Sequence, residues 1–582
     1  MKKSNMKRKV FAVLLAGIMM ASMAACNSNT DTNSNSNSNS NSNSNSNNQS
    51  SSVTNDNSNT ETVNNYPGTA DDAEMVTVDL RAEPKDINSI LCQDAAGSDV
   101  LRLCMAGLMK LDGNDKPVPD LAEDYPTVSE DGKTYTFKIR QDAKWTNGEP
   151  VTANDFVFAY KTIMTKEVAS VYGFIMYENI LNGQEFYDGT VDESELGVKA
   201  LDEYTLEVTF VNPLPYAEHL FSFSTYLPVN QKAYEEIGPD LYAKDADKIV
   251  TNGPYKITEW VHDDHITFEK NDDYVDAANI EVPKVKFLMM KDANARMNAL
   301  KGGQIDCINL TGEQIEQLAK ENQTTTSYFD NGNWYLQFNT TRKGLDNPKV
   351  RRALGMAIDN QALCDSVLKD GSVPATGLVP PTIAGANDKK YAEAVGTILQ
   401  SDTAGAKALL EEGLAEAGMT VADLKLTYMT DDTSNAQKTA AYFQQEWKKN
   451  LGIEVEITPM PFKSRLNAMN EGNFDIVMAG WAPDYNDAMT YLDMFMTTNP
   501  NNSGRYKSET YDQLIVEARQ EVDPVARQEK LVQAEKLLVA EDTAVYPLYF
   551  SRVTYANSQK ITGMTRSGFQ EFDFADGAKI AK

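Results

Sequence analysis

The chain has 582 residues, of which 84 are acidic and 54 are basic, so its formal net charge is −30. A surface this negative repels the phosphates of nucleic acids and anionic lipid headgroups, which argues against a nucleic-acid-binding protein. The length allows two or three subdomains but says little about their fold.

The first residues have the pattern of a secretory signal. A basic stretch ends at Lys9, and the apolar run from Val10 to about Met20 is too short to span a bilayer. Ser22-Met-Ala-Ala-Cys26 then resembles the lipobox of bacterial lipoproteins, with methionine where leucine is usual. The resemblance implies that residues 1–25 are a lipoprotein signal peptide, cleaved off before Cys26, and that the Cys26 sulfur is diacylated. An ordinary secretory signal followed by a chance cysteine is the alternative.

From Asn27 to about Tyr66 the chain is almost entirely asparagine, serine and threonine. This composition buries too little apolar surface to offset chain entropy, so we expect it to be disordered. About 40 residues of flexible coil have a root-mean-square span of roughly 35 Å. We interpret residues 26–74 as a lipidated cysteine and a tether that holds a globular body away from a membrane.

Four further cysteines lie in the body, at Cys92, Cys104, Cys307 and Cys364. They are widely spaced and form no Cys-x-x-Cys pair of the kind that binds zinc or does redox chemistry. We expect them to pack as small hydrophobic side chains rather than to form disulfides.

The body begins with a region rich in strands and turns, up to about Ala233. A helix opens after Val151, with Thr152 as its N-cap and Asp155 three residues later. The other elements predicted here are strands at residues 76–80, 134–139 and 204–210 and a helix at residues 97–108. A β-hairpin follows, in which strands at residues 255–260 and 265–269 are joined through Asp263-Asp264.

Helices and strands alternate from about Trp334 onward, as in α/β folds. Asn347 is placed to cap a helix whose first residue is Pro348, and the apolar positions of that helix share one core-facing side. The later elements predicted in this region are helices at residues 437–451 and 462–471 and strands at residues 452–458 and 474–479.

The most informative stretch directly follows the last of these strands. Trp481-Ala-Pro-Asp-Tyr-Asn-Asp487 places an acid among aromatic side chains. Ligands of open α/β folds sit beyond the carboxyl ends of such strands. Asp484, half shielded by Trp481 and Tyr485, would therefore suit a cationic ligand group such as an amine.

Several motifs together resemble the extracytoplasmic solute-binding proteins of peptide ABC transporters, the oligopeptide- and dipeptide-binding proteins. The motifs are Ala106-Gly-Leu-Met109, Val118-Pro-Asp-Leu-Ala122, residues 131–140 and 144–156, Asn252-Gly-Pro-Tyr255, Val350-Arg-Arg-Ala-Leu354, Asp484-Tyr-Asn-Asp487 and residues 502–514. The resemblance covers essentially all of residues 75–582.

The resemblance implies an α/β fold, a two-lobed clamshell of the periplasmic-binding-protein type with three subdomains. Two crossing segments would form the hinge, and the ligand would be enclosed between the lobes. By analogy, residues 75–106, 229–331 and 548–582 would form lobe one, residues 107–228 an inserted subdomain, and residues 332–547 lobe two.

In this family the peptide lies extended and pairs through its main chain with short backbone stretches of both lobes, a form of β-augmentation. Carried onto this sequence, Asp484 would pair with the α-ammonium group of the peptide. The backbone partners and the more loosely aligned aromatic positions near the ligand would be Gln93, Asp94, Ala95, Ala479, Gly480, Trp481, Tyr172 and Tyr335. Met478 stands where some oligopeptide binders carry an arginine for the peptide's C-terminus, which puts a fixed C-terminal clamp in doubt.

Enzyme chemistry has weaker support. Gly132-Lys133-Thr134 looks like the end of a phosphate-binding loop, but the first glycine of that motif is absent. His262 and His265 lie on the predicted hairpin without a third metal ligand, and His219 is the only other histidine. We therefore predict no metal, no cofactor and no catalysis, although paired carboxylates for glycoside chemistry stay open in so acidic a chain.

The leading hypothesis is a monomeric, lipid-anchored binding protein that captures short peptides and delivers them to an ABC transporter permease. A lipid-anchored hydrolase and a surface chaperone or signalling-peptide receptor are the competing hypotheses. Within the same family, nickel complexes, saccharides or other solutes are alternative ligands. The long tether suits the thick wall of a Gram-positive-type envelope.

Overall fold

The structure is a computed structural model, and it describes residues 66–70, 72–80, 82–399, 402–499 and 501–581. The predicted signal peptide, Cys26 and nearly all of the predicted tether lie outside the described residues. Within these ranges, no helix is both long enough and apolar enough to cross a bilayer.

The described strands fall into one large sheet and three smaller ones. In chain order they are β1 (Met75–Asp79), β2 (Met109–Leu111), β3 (Pro117–Pro119), β4 (Thr127–Val128), β5 (Thr134–Lys138), β6 (Val198–Asp202), β7 (Thr205–Thr209), β8 (Tyr255–Val261), β9 (His265–Lys270), β10 (Lys284–Leu288), β11 (Cys307–Asn309), β12 (Thr326–Phe338), β13 (Val373–Pro374), β14 (Leu426–Asp431), β15 (Val455–Met460), β16 (Ile476–Trp481), β17 (Val545–Asn557), β18 (Ile561–Thr562) and β19 (Lys579–Ile580).

The α-helices lie between these strands. They are α1 (Ala95–Cys104), α2 (Ala153–Ile163), α3 (Gly173–Tyr177), α4 (Gly183–Tyr187), α5 (Ala217–Leu220), α6 (Gln231–Ile237), α7 (Ala293–Lys301), α8 (Gly312–Lys320), α9 (Pro348–Met356), α10 (Asn360–Ala362), α11 (Tyr391–Val395), α12 (Thr403–Glu416), α13 (Ser434–Leu451), α14 (Phe462–Glu471), α15 (Met489–Leu492), α16 (Glu509–Gln520) and α17 (Pro524–Lys536). Two π-helical segments continue α10 and α17, at Leu363–Leu368 and Leu537–Glu541. Short 3-10 helices lie at Glu193–Glu195, Ser224–Tyr226, Ala246–Lys248, Ala277–Asn279, Ala386–Asp388, Val421–Asp423 and Asp493–Phe495.

The large sheet has the strand order β15-β14-β16-β12-β17-β11-β1-β10-β9-β8, with β13 paired to β17. Strands β4, β5, β7 and β6 form a separate antiparallel sheet within residues 107–228. Each predicted strand and helix has a counterpart within a few residues of the predicted bounds, including the β8–β9 hairpin.

Two long antiparallel strands, β12 and β17, join the two halves of the large sheet. They pair from Thr326 opposite Tyr555 to Gln337 opposite Val545. The register breaks between Phe329 and Asn333, where the chain bulges. Because β17 also pairs with β11 and β12 also pairs with β16, this ribbon is continuous from one half of the sheet to the other.

Side-chain hydrogen bonds hold the bulge in shape. The Asp330 Oδ1 atom accepts bonds from the Ser551 hydroxyl at 2.6 Å and from the Gly332 N–H at 3.0 Å. Asn331 has a left-handed φ of 58°, and its carbonyl accepts a bond from the Tyr491 hydroxyl at 2.7 Å. The break in the ladder is therefore a built feature rather than a frayed end.

Several sequence motifs have structural roles. Asn252 bonds both the N–H and the carbonyl of Ala106, which ties the turn before β8 to the end of α1. Gly253 is needed there, because a Cβ atom would lie 2.5 Å from the backbone of Cys104. The predicted cap of α2 is confirmed as a capping box between Thr152 and Asp155.

The four body cysteines are buried free thiols, which confirms that they pack as small hydrophobic residues and form no disulfide. Burial raises the pKa of the Cys92 thiol to about 11, so the sulfur stays protonated and unreactive at neutral pH.

The predicted tether extends too far toward the C-terminus. Tyr66 is only 6% exposed and packs in a cluster with Met297 and Leu300. The Lys560 ammonium donates to the carbonyls of Thr69 and Asp72, at 2.9 and 2.7 Å. This polar segment therefore packs on the body. The Tyr66 side chain is buried in an apolar cluster, and the backbone carbonyls of Thr69 and Asp72 accept hydrogen bonds from Lys560.

Candidate functional site

A cavity of about 390 Å³ lies where several separate parts of the chain meet. Its walls come from the start of α1, the 107–228 region, the β12–β17 ribbon, the loop after β16 and the C-terminal segment. A volume of this size falls within the range of small-ligand sites. Its lining includes Gln93, Asp94, Ala95, Tyr172, His219, Phe223, Asp330, Pro483, Asp484, Phe569 and Asp573.

Asp484 lies between this cavity and a second, smaller one of about 20 Å³, and it lines both. Its Oδ2 atom accepts a hydrogen bond from the Thr490 hydroxyl at 3.3 Å, and the Tyr172 hydroxyl is a second donor. Burial raises the pKa of the Asp484 carboxyl to about 7, because desolvation disfavours the charged form more than these two hydroxyls favour it.

The two neighbouring acids already have cationic partners. Asp487 forms a bidentate pair with Arg527, with both N–O distances 2.8 Å, and Asp493 accepts from Arg519 at 3.2 Å. Asp484 has no Lys, Arg or His within ion-pair distance among the residues that the structure describes. A positive group in the cavity would therefore be attracted to Asp484 in particular.

Direct contacts around the smaller cavity join the 107–228 region to the loop after β16. The rings of Tyr216 and Tyr485 stack with centroids 4.1 Å apart and planes 9° from parallel. Arg519, which binds Asp493, also lies 3.9 Å from the Glu178 carboxylate. These contacts surround the smaller cavity, and Asp484 lies between it and the large one.

The predicted segment Gln93–Ala95 lines the large cavity. The Asp94 side chain caps α1 by accepting from the Gly97 N–H at 2.9 Å, so this carboxylate has a structural role. The N–H and carbonyl of Gln93 bond no other group in the described part of the chain. They are therefore available to an extended ligand.

The predicted segment Ala479–Trp481 forms the end of β16, one edge of which pairs with β12. The ladder from β16 to β14 stops at Val477, so the other edge of this segment pairs with no strand in the described ranges. Trp481 lines the smaller cavity and donates from its indole nitrogen to the Thr490 hydroxyl at 3.3 Å. Ala479 and Gly480 line neither cavity.

The two predicted tyrosines lie in different environments. Tyr172 lines the large cavity, and the nearby Asp484 charge raises the pKa of its hydroxyl. Tyr335 is 2% exposed and its ring meets Phe495 edge to face, with centroids 5.8 Å apart. The structure therefore does not bring Tyr335 to the cavity, because its position on β12 turns the ring into the core.

The histidines do not assemble into a metal site. His262, in the exposed turn of the β8–β9 hairpin, bridges Glu83 and Asp245, with N–O distances of 2.6 and 3.2 Å. Burial lowers the pKa of His219 to about 4, so this cavity-lining ring is neutral at pH 7. No group of three or more metal-ligating side chains occurs among the described residues.

The comparisons with known proteins agree with this geometry. The family model for bacterial extracellular solute-binding proteins, family 5 (middle), matches residues 116–503. This chain belongs to the family 5 bacterial extracellular solute-binding proteins.

The chain resembles relatives of this family over nearly their full length. It is 32% identical to the oligopeptide-binding protein OppA of Bacillus subtilis, over 88% of this chain and 94% of that protein. It is 34% identical to the dipeptide-binding protein DppE of the same organism, over 81% and 86%. The structure of peptide-bound OppA from Listeria monocytogenes superposes with a TM-score of 0.77 at 31% identity, over 88% of this chain and 99% of that one. The prediction of a two-lobed α/β clamshell is confirmed.

One wall of the cavity of this family 5 solute-binding protein was not predicted from the sequence. Residues 567–576 near the C-terminus line it, with Phe569 and Phe572 as apolar surface and Glu571 and Asp573 as acids. The alternating run Phe569-Gln-Glu-Phe-Asp-Phe574 was the available signal. It is too short to predict that the segment returns to the cavity.

Proposed function

We propose that this family 5 solute-binding protein captures short peptides in an extended conformation between its two lobes. Asp484 binds the α-ammonium group of the peptide. Backbone groups near Gln93 and the unpaired edge of Ala479–Trp481 supply hydrogen bonds to the peptide main chain, and Tyr172 positions the Asp484 carboxylate. Tyr335 acts only indirectly, by fixing β12 against Phe495.

The single observation that carries the proposal is that Asp484 faces the cavity without a cation. A buried carboxylate without a counter-ion is unfavourable, and an ammonium group with good hydrogen bonds removes that cost. The names of the relatives OppA and DppE, and the peptide in the Listeria structure, support the same ligand class.

We further propose that the protein is a monomer held at the outer face of the cell membrane by a lipid on Cys26, in a Gram-positive-type envelope. It releases peptide to the permease of an ABC transporter and catalyses no reaction. The lipobox-like sequence before Cys26 and the polar stretch that follows support the anchor.

The predicted subdivision stays part of this proposal. Lobe one comprises residues 75–106, 229–331 and 548–582, residues 107–228 are the inserted subdomain, and residues 332–547 are lobe two. The separate β4–β5–β7–β6 sheet supports the inserted subdomain. The β12–β17 ribbon supports a hinge near residue 331, because its bulge lies there.

Titration calorimetry with tetra-alanine and its N-acetylated form tests the proposal. We expect Asp484→Asn to weaken binding of the free-amine peptide about 10- to 100-fold, since a charge-assisted bond contributes about 1.5–3 kcal/mol. The acetylated peptide should bind weakly to both proteins. Glu130→Gln removes an exposed acid in the turn between β4 and β5, which lines neither cavity, and serves as the control.

Two results would contradict the proposal. One is that folded wild-type protein binds none of a panel of short peptides. The other is that the Asp484→Asn variant binds the free-amine peptide as tightly as the wild type. Mass spectrometry of the recovered peptide tests the hydrolase alternative, for which cleavage products rather than intact ligand are expected.

A further inference from the structure

The walls of the large cavity carry far more negative than positive charge. Eight carboxylate side chains line it against two basic ones, Arg102 and Lys110. The chain as a whole has 84 acidic residues against 54 basic ones, so the cavity is biased beyond the overall composition. Both basic groups already have partners: Arg102 lies 3.2 Å from Asp99, and Lys110 lies 3.5 Å from Asp576.

Asp330 is one acid whose charge is not balanced. It sits in the bulge of the β12–β17 ribbon and accepts hydrogen bonds from Ser551 and Gly332, which are neutral donors. No basic side chain of the described residues lies within ion-pair distance of it, and burial raises the pKa of its carboxyl. A cation in the cavity would therefore be attracted to the Asp330 carboxylate, because no basic side chain in the described ranges already neutralises it.

A second excess of negative charge surrounds Lys110. Its single ammonium group faces three carboxylates of the cavity wall, those of Asp120, Asp573 and Asp576. Asp573 is 6% exposed, and its Oδ1 atom is held by the N–H groups of Ala575 at 3.0 Å and Asp576 at 3.1 Å. Burial raises the pKa of Asp573, as it does for Asp330. One lysine does not neutralise three carboxylates, so the cluster of Asp120, Asp573 and Asp576 also attracts a further cation.

The α-ammonium of a peptide supplies only one positive charge, and Asp484 uses it. We propose that Asp330 and Asp573 select peptides that carry basic side chains, because each presents a carboxylate without its own cation to the same enclosed cavity. This inference rests on the proposed function, since it concerns side-chain selectivity within the peptide site. A cleft lined by charges of one sign also concentrates oppositely charged ligands and speeds their association.

Matched peptides give a direct test. Alanine tetrapeptides with lysine, norleucine or glutamate at the second, third or fourth position differ in charge but little in length. At one or more positions, we expect the lysine peptide to bind about tenfold or more tightly than the norleucine peptide, and the glutamate peptide to bind most weakly. The lysine advantage should shrink as salt is raised, while norleucine binding should change little.

Amide variants test whether Asp330 and Asp573 cause the preference for lysine peptides. Asp330→Asn, Asp573→Asn and the double variant keep the size and most of the hydrogen bonds of each side chain, so their melting temperatures without ligand check that they fold. The lysine-to-norleucine affinity ratio should fall toward one in the double variant, with norleucine binding unchanged. Glu130→Gln, the exposed control, should keep the wild-type ratio.

The outcomes separate this inference from the proposed function. If no tetrapeptide binds the wild type, the proposed function fails. If peptides bind with equal affinity whatever their charge, only the selectivity inference is overturned. A lysine preference that survives in the double variant would overturn the assignment to Asp330 and Asp573.

Discussion

Tyr216 and Tyr485 stack face to face, with ring centroids 4.1 Å apart, and this joins the 107–228 region to the loop that carries Asp484. The Arg527 guanidinium, which binds Asp487, lies 5.8 Å from the Tyr216 ring. The loop that would bind the ligand's amine is therefore held by contacts from the opposite wall. We therefore expect closure of the cavity and the position of Asp484 to depend on the same aromatic pair.

Tyr216→Ala should weaken peptide binding about 2- to 12-fold, because an aromatic pair contributes about 0.5–1.5 kcal/mol to the closed form. Faster dissociation in stopped-flow measurements and a larger radius of gyration without ligand should accompany the loss. Tyr177→Ala is the matched control, since the Tyr177–Tyr187 stack lies wholly within the 107–228 region. Equal effects of the two variants would show that the Tyr216 contact has no special role in closure.

Peptide affinity should depend on pH through Asp484. The pKa of this carboxyl is raised to about 7 without ligand, so below pH 7 a proton must leave before an ammonium group binds. Affinity should fall by up to about tenfold for each pH unit between 7 and 5. The corresponding asparagine variant should show little change over this range. A wild-type affinity that is constant from pH 5 to 7 would contradict the role of Asp484.

Glu535 should make the fold less stable as pH rises. The carboxylate of this α17 residue is 1% exposed and accepts from the N–H groups of Leu378 at 2.6 Å and Val379 at 3.3 Å. Burial raises its pKa to about 7, so its contribution to stability is present below pH 4.5 and is lost as pH rises to 7. The loss is on the order of 3 kcal/mol.

Denaturant unfolding at several pH values tests this prediction. Glu535→Gln should be stabilised relative to wild type as pH rises from 5 to 8, because it removes the charge but keeps an acceptor. Glu529→Gln, on the exposed side of the same helix, should parallel the wild type. If the unfolding free energy of Glu535→Gln also followed the wild type across this pH range, burial would not raise the pKa of the Glu535 carboxyl.

Arg566→Met should destabilise the fold by roughly 3–5 kcal/mol, because it removes the cationic member of a buried ion pair with a 2.9 Å N–O distance to Glu571. The Arg566 side chain is fully buried, and its guanidinium lies 4.5 Å from the Tyr555 ring and 4.8 Å from the Phe572 ring. Arg566→Lys should lose less, since it keeps the charge but not the planar stacking. Thermal unfolding measures both.

The control for the Arg566 variants is Lys438→Ala. This lysine pairs with Glu313 on the surface, where both side chains are more than half exposed. Its removal should leave the melting temperature almost unchanged. An equally small effect of Arg566→Met would show that the buried arginine is not needed for the fold.

Local patterns predicted most of the secondary structure, because caps and periodicity depend on residues close in sequence. The capping box at Thr152 and the cap of Asn347 before Pro348 formed as expected. The resemblance to peptide-binding proteins also placed Gln93 and Asp484 on one cavity, although they are about 390 residues apart.

The misses have a common physical reason, which is that they depend on contacts between distant segments. The family resemblance aligned Tyr335 loosely with aromatic positions near the ligand, but whether its ring meets the cavity or packs on Phe495 depends on the fold. The Tyr216–Tyr485 stack joins residues 269 positions apart, and nothing local to either residue marks it. Arg351 was noted only as part of a family motif, yet it is buried and donates to the carbonyls of Thr543 and Leu345.

The continuous β12–β17 ribbon has a mechanical consequence. If the lobes part, the ribbon must twist as a hydrogen-bonded unit, because its two strands stay paired on both sides of the bulge. Such a connection would resist twisting away from one preferred angle, unlike a loop without strand pairing. The geometry around residue 331 would set that angle, so movement of the lobes away from it would be opposed by the ribbon and movement back toward it would be assisted.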